Sequence, residues 1–438
     1  MAPPIAQDLD PDPEVVRVEL EAREDEWEIA SGCRVRAATI NGSVPGPTLQ
    51  ARVGQLLKVQ VTNNLSEVLT LHWHGLQVAS HLDGTEVIQR GIPPGATFEY
   101  SFRVGEAGTF WYHPHPHTNG SLASERGLYG AVIFRDEGEP TLDGEKVLLL
   151  DEASLERMGW LPGSSLQVGL PRGRADDLRI VNGRAHPALR MAAGTIERWR
   201  IINVSFSSCM RLSIGGEPFQ ILGTDGGFLS WPVKAWEVLL APGNRIDLAV
   251  GPFAEGSRVH IHALPLAPGE PAGDFATVRV GPHRKSHGWV PKALKRIERL
   301  VPSDTVVVVN QTVRLSGPPA FRRPRFFGEG SVPHHIEPVR VGTVQVWDVV
   351  NEGANDQAFH LHGFFFQVLD VNGVEPPFNS WADTCNVPAG GRVRIAWLPE
   401  DRPGSWLFHC HVLSSESGPA HFDILRPDEE PRMLSHLY

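Results

Sequence analysis

The sequence predicts an all-β protein of three β-sandwich domains, on three observations. Short apolar runs alternate with polar residues, as in Leu56-Leu57-Lys58-Val59-Gln60-Val61-Thr62 and Thr195-Ile196-Glu197-Arg198-Trp199-Arg200-Ile201. That is the two-residue period of a half-buried strand. Glycine and proline are abundant, 44 and 37 of 438 residues, and supply turns between strands. One segment occurs three times: Gly54 to Asn63, Gly194 to Asn203 and Gly342 to Asn351, at intervals of 140 and 148 residues. A period that long marks whole domains rather than solenoid units.

In each copy the Asn lies nine residues after the Gly, and a Pro/Gly turn follows: Pro94-Gly95, Pro242-Gly243 and Pro388-Ala389-Gly390. The first two copies are preceded by Asn41-Gly42 with Pro45 and by Asn182-Gly183 with Pro187. We expect domains over 1–140, 141–295 and 296–438, with Gly281 to Arg299 as the second linker. No long stretch carries the helical period; Pro291 to Leu300 is at most a short linker helix.

Composition excludes several classes. Hydrophobic residues at 41% and charged residues at 21% describe a folded globular chain, not a disordered one. No apolar run is long enough to predict a membrane-spanning helix. A net charge of −11 without a basic tract argues against nucleic-acid binding. Four dispersed cysteines (Cys33, Cys209, Cys385, Cys410) do not form a disulfide framework. The N-terminus has no basic segment followed by an apolar one, so either the protein stays inside the cell or the sequence starts after a removed signal.

The unusual residue is histidine, of which there are 19. His-x-His occurs as His72/His74, His113/His115 (extended by His117), His260/His262, His360/His362 and His409/His411. On a strand such a pair points to one face, a ready two-nitrogen claw. Domains 1 and 3 carry their pairs in register. His72 and His360 each lie nine residues after the repeat Asn, and His113 and His409 lie 18 and 19 after the turn glycines Gly95 and Gly390. In domain 2, Leu212 and Ile214 hold the first place, so His260/His262 is read as structural or exposed. Four matched pairs give eight imidazoles, too many for one ion. They divide as 3 + 3 + 2 over about three metals between domains 1 and 3. Copper, zinc, iron and nickel all accept imidazole, but zinc sites close with four ligands and have no use for a three-metal cage. Cys410, between His409 and His411, points to the opposite face and could serve a separate metal.

These motifs resemble the multicopper oxidases: laccases, bilirubin oxidases and cuprous oxidases. The resemblance rests on Val44-Pro45-Gly46-Pro47-Thr48, His72-Trp73-His74-Gly75, Gly108-Thr109-Phe110-Trp111-Tyr112-His113-Pro114-His115, His360-Leu361-His362-Gly363 and Pro403-Gly404-Ser405-Trp406-Leu407-Phe408-His409-Cys410-His411. It covers almost the whole chain. It implies three cupredoxin-like Greek-key sandwiches and a trinuclear copper cluster that reduces dioxygen to water. Carried over by position, His72 and His360 would hold the type 2 copper. His74, His113, His115, His362, His409 and His411 would hold the type 3 pair. Asp83 and Glu416 fall at or near the acids that help deliver protons. Relatives are often exported.

The pattern breaks at the electron-entry type 1 copper. Its two histidines are replaced by Gln357 and Ser415, its axial Met falls around Pro419 or Ala420, and that loop is one residue short. An amide and a hydroxyl are poor partners for copper beside a thiolate. His421, or the His334-His335 pair, could substitute only by moving in. The expectation is an atypical copper oxidase that takes electrons from a small reductant without a normal type 1 copper. The alternatives are a laccase-like oxidase with a rebuilt type 1 site and a non-enzymatic copper-binding protein.

Overall fold

The structure is a computed structural model that describes residues 2–85, 88–115, 126–154, 177–205, 208–266, 272–302, 305–315, 336, 338–411 and 420–429. Among these there is no α-helix, only one 3-10 turn at Ser80–Leu82. Among the described residues no helix is long and apolar enough to cross a membrane. The segment from Pro291 to Leu300 is irregular chain rather than the short helix entertained above. Its backbone N–H groups bond to other segments instead of to one another: those of Leu294 and Lys295 donate to the carbonyls of Ser230 and Leu229, and that of Leu300 to Gln367 Oε1.

Six sheets pair into three sandwiches. Strands between Val15 and Arg135 form two four-stranded sheets; those between Gly144 and His283 form a seven- and a five-stranded sheet; those between Gln311 and Leu425 form a four- and a five-stranded sheet. Each sandwich closes over its own apolar core, centred on Trp73, Tyr100 and Tyr112 in the first, Trp199, Leu212 and Phe275 in the second, and Trp347, Trp397 and Trp406 in the third.

The threefold repeat has a structural cause. Gly54, Gly194 and Gly342 all take positive φ (+93°, +77° and +79°), the left-handed conformation that glycine enters without a Cβ penalty. Strands Leu56–Asn63, Glu197–Asn203 and Gln345–Asn351 follow. The terminal asparagine then ties two segments together. Asn63 Nδ2 donates to the carbonyls of Glu67 and Ile92, Asn203 Nδ2 to those of Ser208 and Leu240, and Asn351 Nδ2 to those of Asn355 and Val387. In each copy the amide oxygen accepts the N–H two residues on. Asn41-Gly42 and Asn182-Gly183 both have two successive positive φ values, the signature of a tight hairpin turn.

The sandwiches pack through extensive contacts. Val44, Trp111, Tyr129 and Ile133 of the first meet Leu149, Ile202 and Val204 of the second in a shared apolar cluster. The first and third are joined by Ser80 Oγ donating to the Ser405 carbonyl (2.7 Å).

Candidate metal centre

Strand alternation decides which side chains reach the junction. In the third sandwich Trp406, Phe408 and Cys410 enter the core with Phe359 and Leu361. The intervening His409, His360 and His362 therefore face the other way. In the first, Leu71, Trp73, Phe110 and Tyr112 are core residues, which turns His72, His74, His113 and His115 outward to the same junction. Neighbouring strands set the pairs side by side: His72 opposite His113, and His360 opposite His409.

All eight histidines of the matched pairs come together. Seven are buried and His409 is half-buried. Ring centroids of His74 and His360 lie 3.9 Å apart, stacked at 14°; those of His72 and His362 lie 4.1 Å apart. His411 sits 5.1 Å from His74 and 5.4 Å from His113. Ligand atoms of His115, His362 and His409 lie within 4.8 Å of one another, as do those of His72, His360 and His362, and of His72, His74 and His113.

Hydrogen bonds fix the tautomers. The Nδ1–H groups of His72, His113, His360 and His409 donate to the carbonyls of Asp83 (2.7 Å), Pro114 (2.9 Å), Asp383 (2.9 Å) and Cys410 (2.9 Å). His362 Nδ1–H donates to Asp83 Oδ2 at 2.8 Å. His74 is turned the other way, its Nε2–H shared between Asp383 Oδ1 and Thr384 Oγ1, both at 3.1 Å. A neutral imidazole that donates from one nitrogen presents a lone pair at the other. Thus Nε2 of His362 and Nε2 of His409 face each other with lone pairs at 2.9 Å, a repulsive contact unless a cation lies between them. Nε2 of His72 and of His360 and Nδ1 of His74 are buried with no hydrogen-bond partner among the described residues. Orphaned, converging imidazole nitrogens fit copper.

Electrostatics agree. Burial, reinforced by neighbouring imidazoles, depresses the pKa of His72, His74, His362 and His411 well below its ordinary value. Burial brings His113 to about 3. The rings stay neutral, the form that binds metal. Burial pushes the Asp83 carboxyl well above the usual range. Asp383 is also buried, but the Arg245 guanidinium outweighs that and holds it below the usual range.

Asp383, Thr384 and Arg245 carry no sequence signal used above; only the structure brings them to the histidines. The other sequence candidates separate. Gln357 is buried, and its Oε1 has no hydrogen-bond partner among the described residues. Cys410 lies in the third core, and Ala420 is buried there too. Glu416, Ser415, Pro419, His117, His334 and His335 lie outside the described residues, as does the His421 side chain. His260 and His262 sit half-exposed on the second sandwich and donate from Nδ1 to the two oxygens of Asp274, at 2.7 and 2.6 Å.

Comparison with known proteins gives a consistent picture. Family models described as "Multicopper oxidase" match residues 21–139, 142–255 and 300–419. The chain is similar to multicopper oxidase MmcO of Mycobacterium tuberculosis, 29% identical with 86% of this chain and 80% of that one covered. It is similar to multicopper oxidase mco of Staphylococcus epidermidis, 26% identical with 91% and 85% covered. Among solved structures, a multi-copper oxidase from Pediococcus acidilactici superposes with a TM-score of 0.81 at 25% identity, covering 100% of this chain and 93% of that one. With three family matches spanning most of its length, all on the cupredoxin-like fold, the chain belongs to the multicopper oxidases, copper oxidoreductases that use dioxygen.

Proposed function

We propose that this oxidase reduces dioxygen at a trinuclear copper cluster between the first and third sandwiches, oxidises a small reductant, and works without a normal type 1 copper. His72 and His360 hold the type 2 copper. His115, His362 and His409 hold one type 3 copper, and His74, His113 and His411 the other. The observation that carries this reading is the convergence of eight imidazoles, six of which have one ring nitrogen held by a hydrogen bond and so leave the other for a metal. Bound copper supplies the electron transfer to dioxygen.

The chain's own groups do the rest. Main-chain carbonyls hold the Nδ1–H of four ligands and so orient the Nε2 atoms. Asp83 is the acid that holds a proton beside the cluster: it is buried, touches His362, and favours its protonated form. Glu416 is assigned a second such role. Gln357, a buried amide where the first type 1 histidine belongs, supports the loss of that copper. Domain boundaries near 140 and 295 complete the reading.

The test is metal analysis, absorption and electron paramagnetic resonance (EPR) spectroscopy, and oxygen uptake on copper-loaded protein. We expect about three ions per chain, a type 2 resonance, no intense blue band, and oxygen consumption with ascorbate, cuprous ion, phenols or hydroxylamines. An intense thiolate-to-copper band would establish a rebuilt type 1 site instead. Failure to consume oxygen with every one of these reductants would overturn the reading.

A further inference from the structure

The second sandwich supplies none of the eight imidazoles, yet it places one charged side chain against them. Arg245, at the start of strand Arg245–Val250, is fully buried, and so is its partner Asp383 of the third sandwich. All five guanidinium N–H groups are spent. Nη1 and Nη2 fork onto Asp383 Oδ1 and Oδ2 at 2.7 and 2.5 Å. Nε donates to the Thr109 carbonyl of the first sandwich at 3.0 Å. The remaining two donors reach the carbonyls of Gly243 (3.2 Å) and Asp225 (3.1 Å). One guanidinium thus binds groups from all three sandwiches. Gly75, directly after His74, leaves the space: a Cβ there would lie 2.2 Å from Nη2 and 2.7 Å from Asp383 Oδ2.

Asp383 stands to its own sandwich as Asp83 stands to the first. The Asp83 carbonyl accepts from His72 while its carboxylate accepts from His362 across the junction. The Asp383 carbonyl accepts from His360 while its carboxylate accepts from His74 across the junction. Thr384 Oγ1 ties the second set together, 3.0 Å from His360 Nδ1, 3.1 Å from His74 Nε2 and 2.9 Å from Asp383 Oδ1. Among the described residues, only Asp383 of the two acids is clamped by a cation. Asp383 also has a second capability. With His74 and His360 it forms a group whose ligand atoms lie within 4.8 Å of one another, a two-histidine, one-carboxylate site on the outer side of the same rings.

We infer that Arg245 and Asp383 are a positioning pair: they hold His360 and His74, one imidazole from each half of the cluster, with their inner nitrogens toward copper, and the guanidinium keeps the Asp383 carboxylate from becoming a ligand itself. The fork occupies both carboxylate oxygens, and its charge repels a cation from the outer site. Arg245 touches no reacting atom and acts through Asp383. The inference rests on the trinuclear reading above.

The experiment compares wild type with Arg245→Met, Arg245→Lys and Thr384→Val. It measures copper affinity by competition with a chelator, the type 2 EPR spectrum, and thermal stability of the copper-free protein. Arg245→Met should weaken copper binding by about 10–100-fold and change the type 2 hyperfine splitting, as an oxygen donor replaces nitrogen. Arg245→Lys keeps the charge but cannot fork, and should recover affinity only in part. Thr384→Val leaves the ion pair whole and is the control for loss of the Thr384 contacts alone; Arg245→Lys, which keeps the buried charge, carries the test if Arg245→Met does not fold. Folded Arg245 variants with wild-type affinity and spectrum overturn the inference, even if their thermal midpoints fall, since that outcome describes a purely structural salt bridge. Wild-type protein that takes up no copper defeats the trinuclear reading instead.

Discussion

At the residue scale, chemistry is divided between groups that look alike in the sequence. Asp83 and Asp383 each accept from a histidine across the junction, His362 through Nδ1 and His74 through Nε2, but among the described residues only Asp383 is paired with a cation, and burial drives Asp83 toward its protonated form. Asp83→Asn retains an oxygen to accept the His362 Nδ1–H and loses the acid. We expect near-normal copper content and oxygen uptake lowered about 10²-fold, read by metal analysis and an oxygen electrode; unchanged turnover would remove Asp83 from proton delivery. Gln357 gives the opposite kind of prediction. Its buried Oε1 has no hydrogen-bond partner among the described residues, which costs about 1–3 kcal/mol. Gln357→Leu should therefore keep copper content and EPR unchanged and raise the thermal midpoint. Loss of an ion on that substitution would show that the amide binds metal. The eight histidines were legible because the strand period and the repeat register select them together. Asp383 was not, because it lies 23 residues after His360 whereas Asp83 lies 11 after His72. A register argument cannot find equivalence across loops of different length.

At the scale of elements, the Gly-to-Asn segment shows how a sequence repeat becomes a structural device. The strand, its glycine and its asparagine are readable from spacing. The carbonyls that the asparagine binds are not, since they belong to segments four to five residues away and to a separate strand end. In the second sandwich Asn203 is fully buried and bonds two carbonyls and the Ser205 N–H. Asn203→Ala removes a donor from the Leu240 carbonyl and the acceptor of the Ser205 N–H, while the Ser208 carbonyl keeps the Ser205 hydroxyl, at a cost of about 2–4 kcal/mol by the usual penalty for each buried orphan. Asn203→Asp is expected to be at least as harmful, because it sets a carboxylate oxygen against two carbonyl oxygens. Denaturant unfolding measures both. A loss below about 0.5 kcal/mol in either would mean that water replaces the amide without penalty. Strand alternation is the other element-scale device. It sends Cys410 to the core and its neighbours His409 and His411 to the junction, the same split that Trp73 makes between His72 and His74.

For the molecule as a whole, the cluster we propose draws its eight histidines from two sandwiches and needs both held at a fixed separation, and we propose that the second sandwich does this, since Arg245 binds groups of both while none of the eight is its own. That function left no trace in the sequence pattern, where the second domain was conspicuous only for its missing histidine pair. Its interface with the first sandwich is built around Asp247. This buried carboxylate accepts from Thr109 Oγ1 across the interface (2.6 Å), from Arg198 Nε (3.0 Å) and from Arg200 Nη1 (3.2 Å). Arg200 Nη1 also donates to Thr109 Oγ1 at 2.8 Å, and Arg135 of the first sandwich pairs with Glu145 of the second. Burial by itself would raise the pKa of Asp247; Arg198, Arg200 and the Thr109 hydroxyl outweigh it and hold it below the usual range. The sign follows from linkage. A carboxylate with a lower pKa folded than unfolded adds stability that is fully present above its unfolded pKa, about 3.9, and is lost as pH falls through its folded pKa. The first and second sandwiches should therefore separate or unfold in acid below about pH 4. Asp247→Asn, which keeps the shape but removes the charge facing two arginines, should lower stability at neutral pH and flatten its dependence on pH below 4. The check is a series of thermal melts of both proteins from pH 3 to 7. Parallel stability profiles for the two would show that the Asp247 charge does not hold this interface, leaving it to the apolar cluster of Trp111, Tyr129, Leu149 and Ile202 and to the remaining polar contacts.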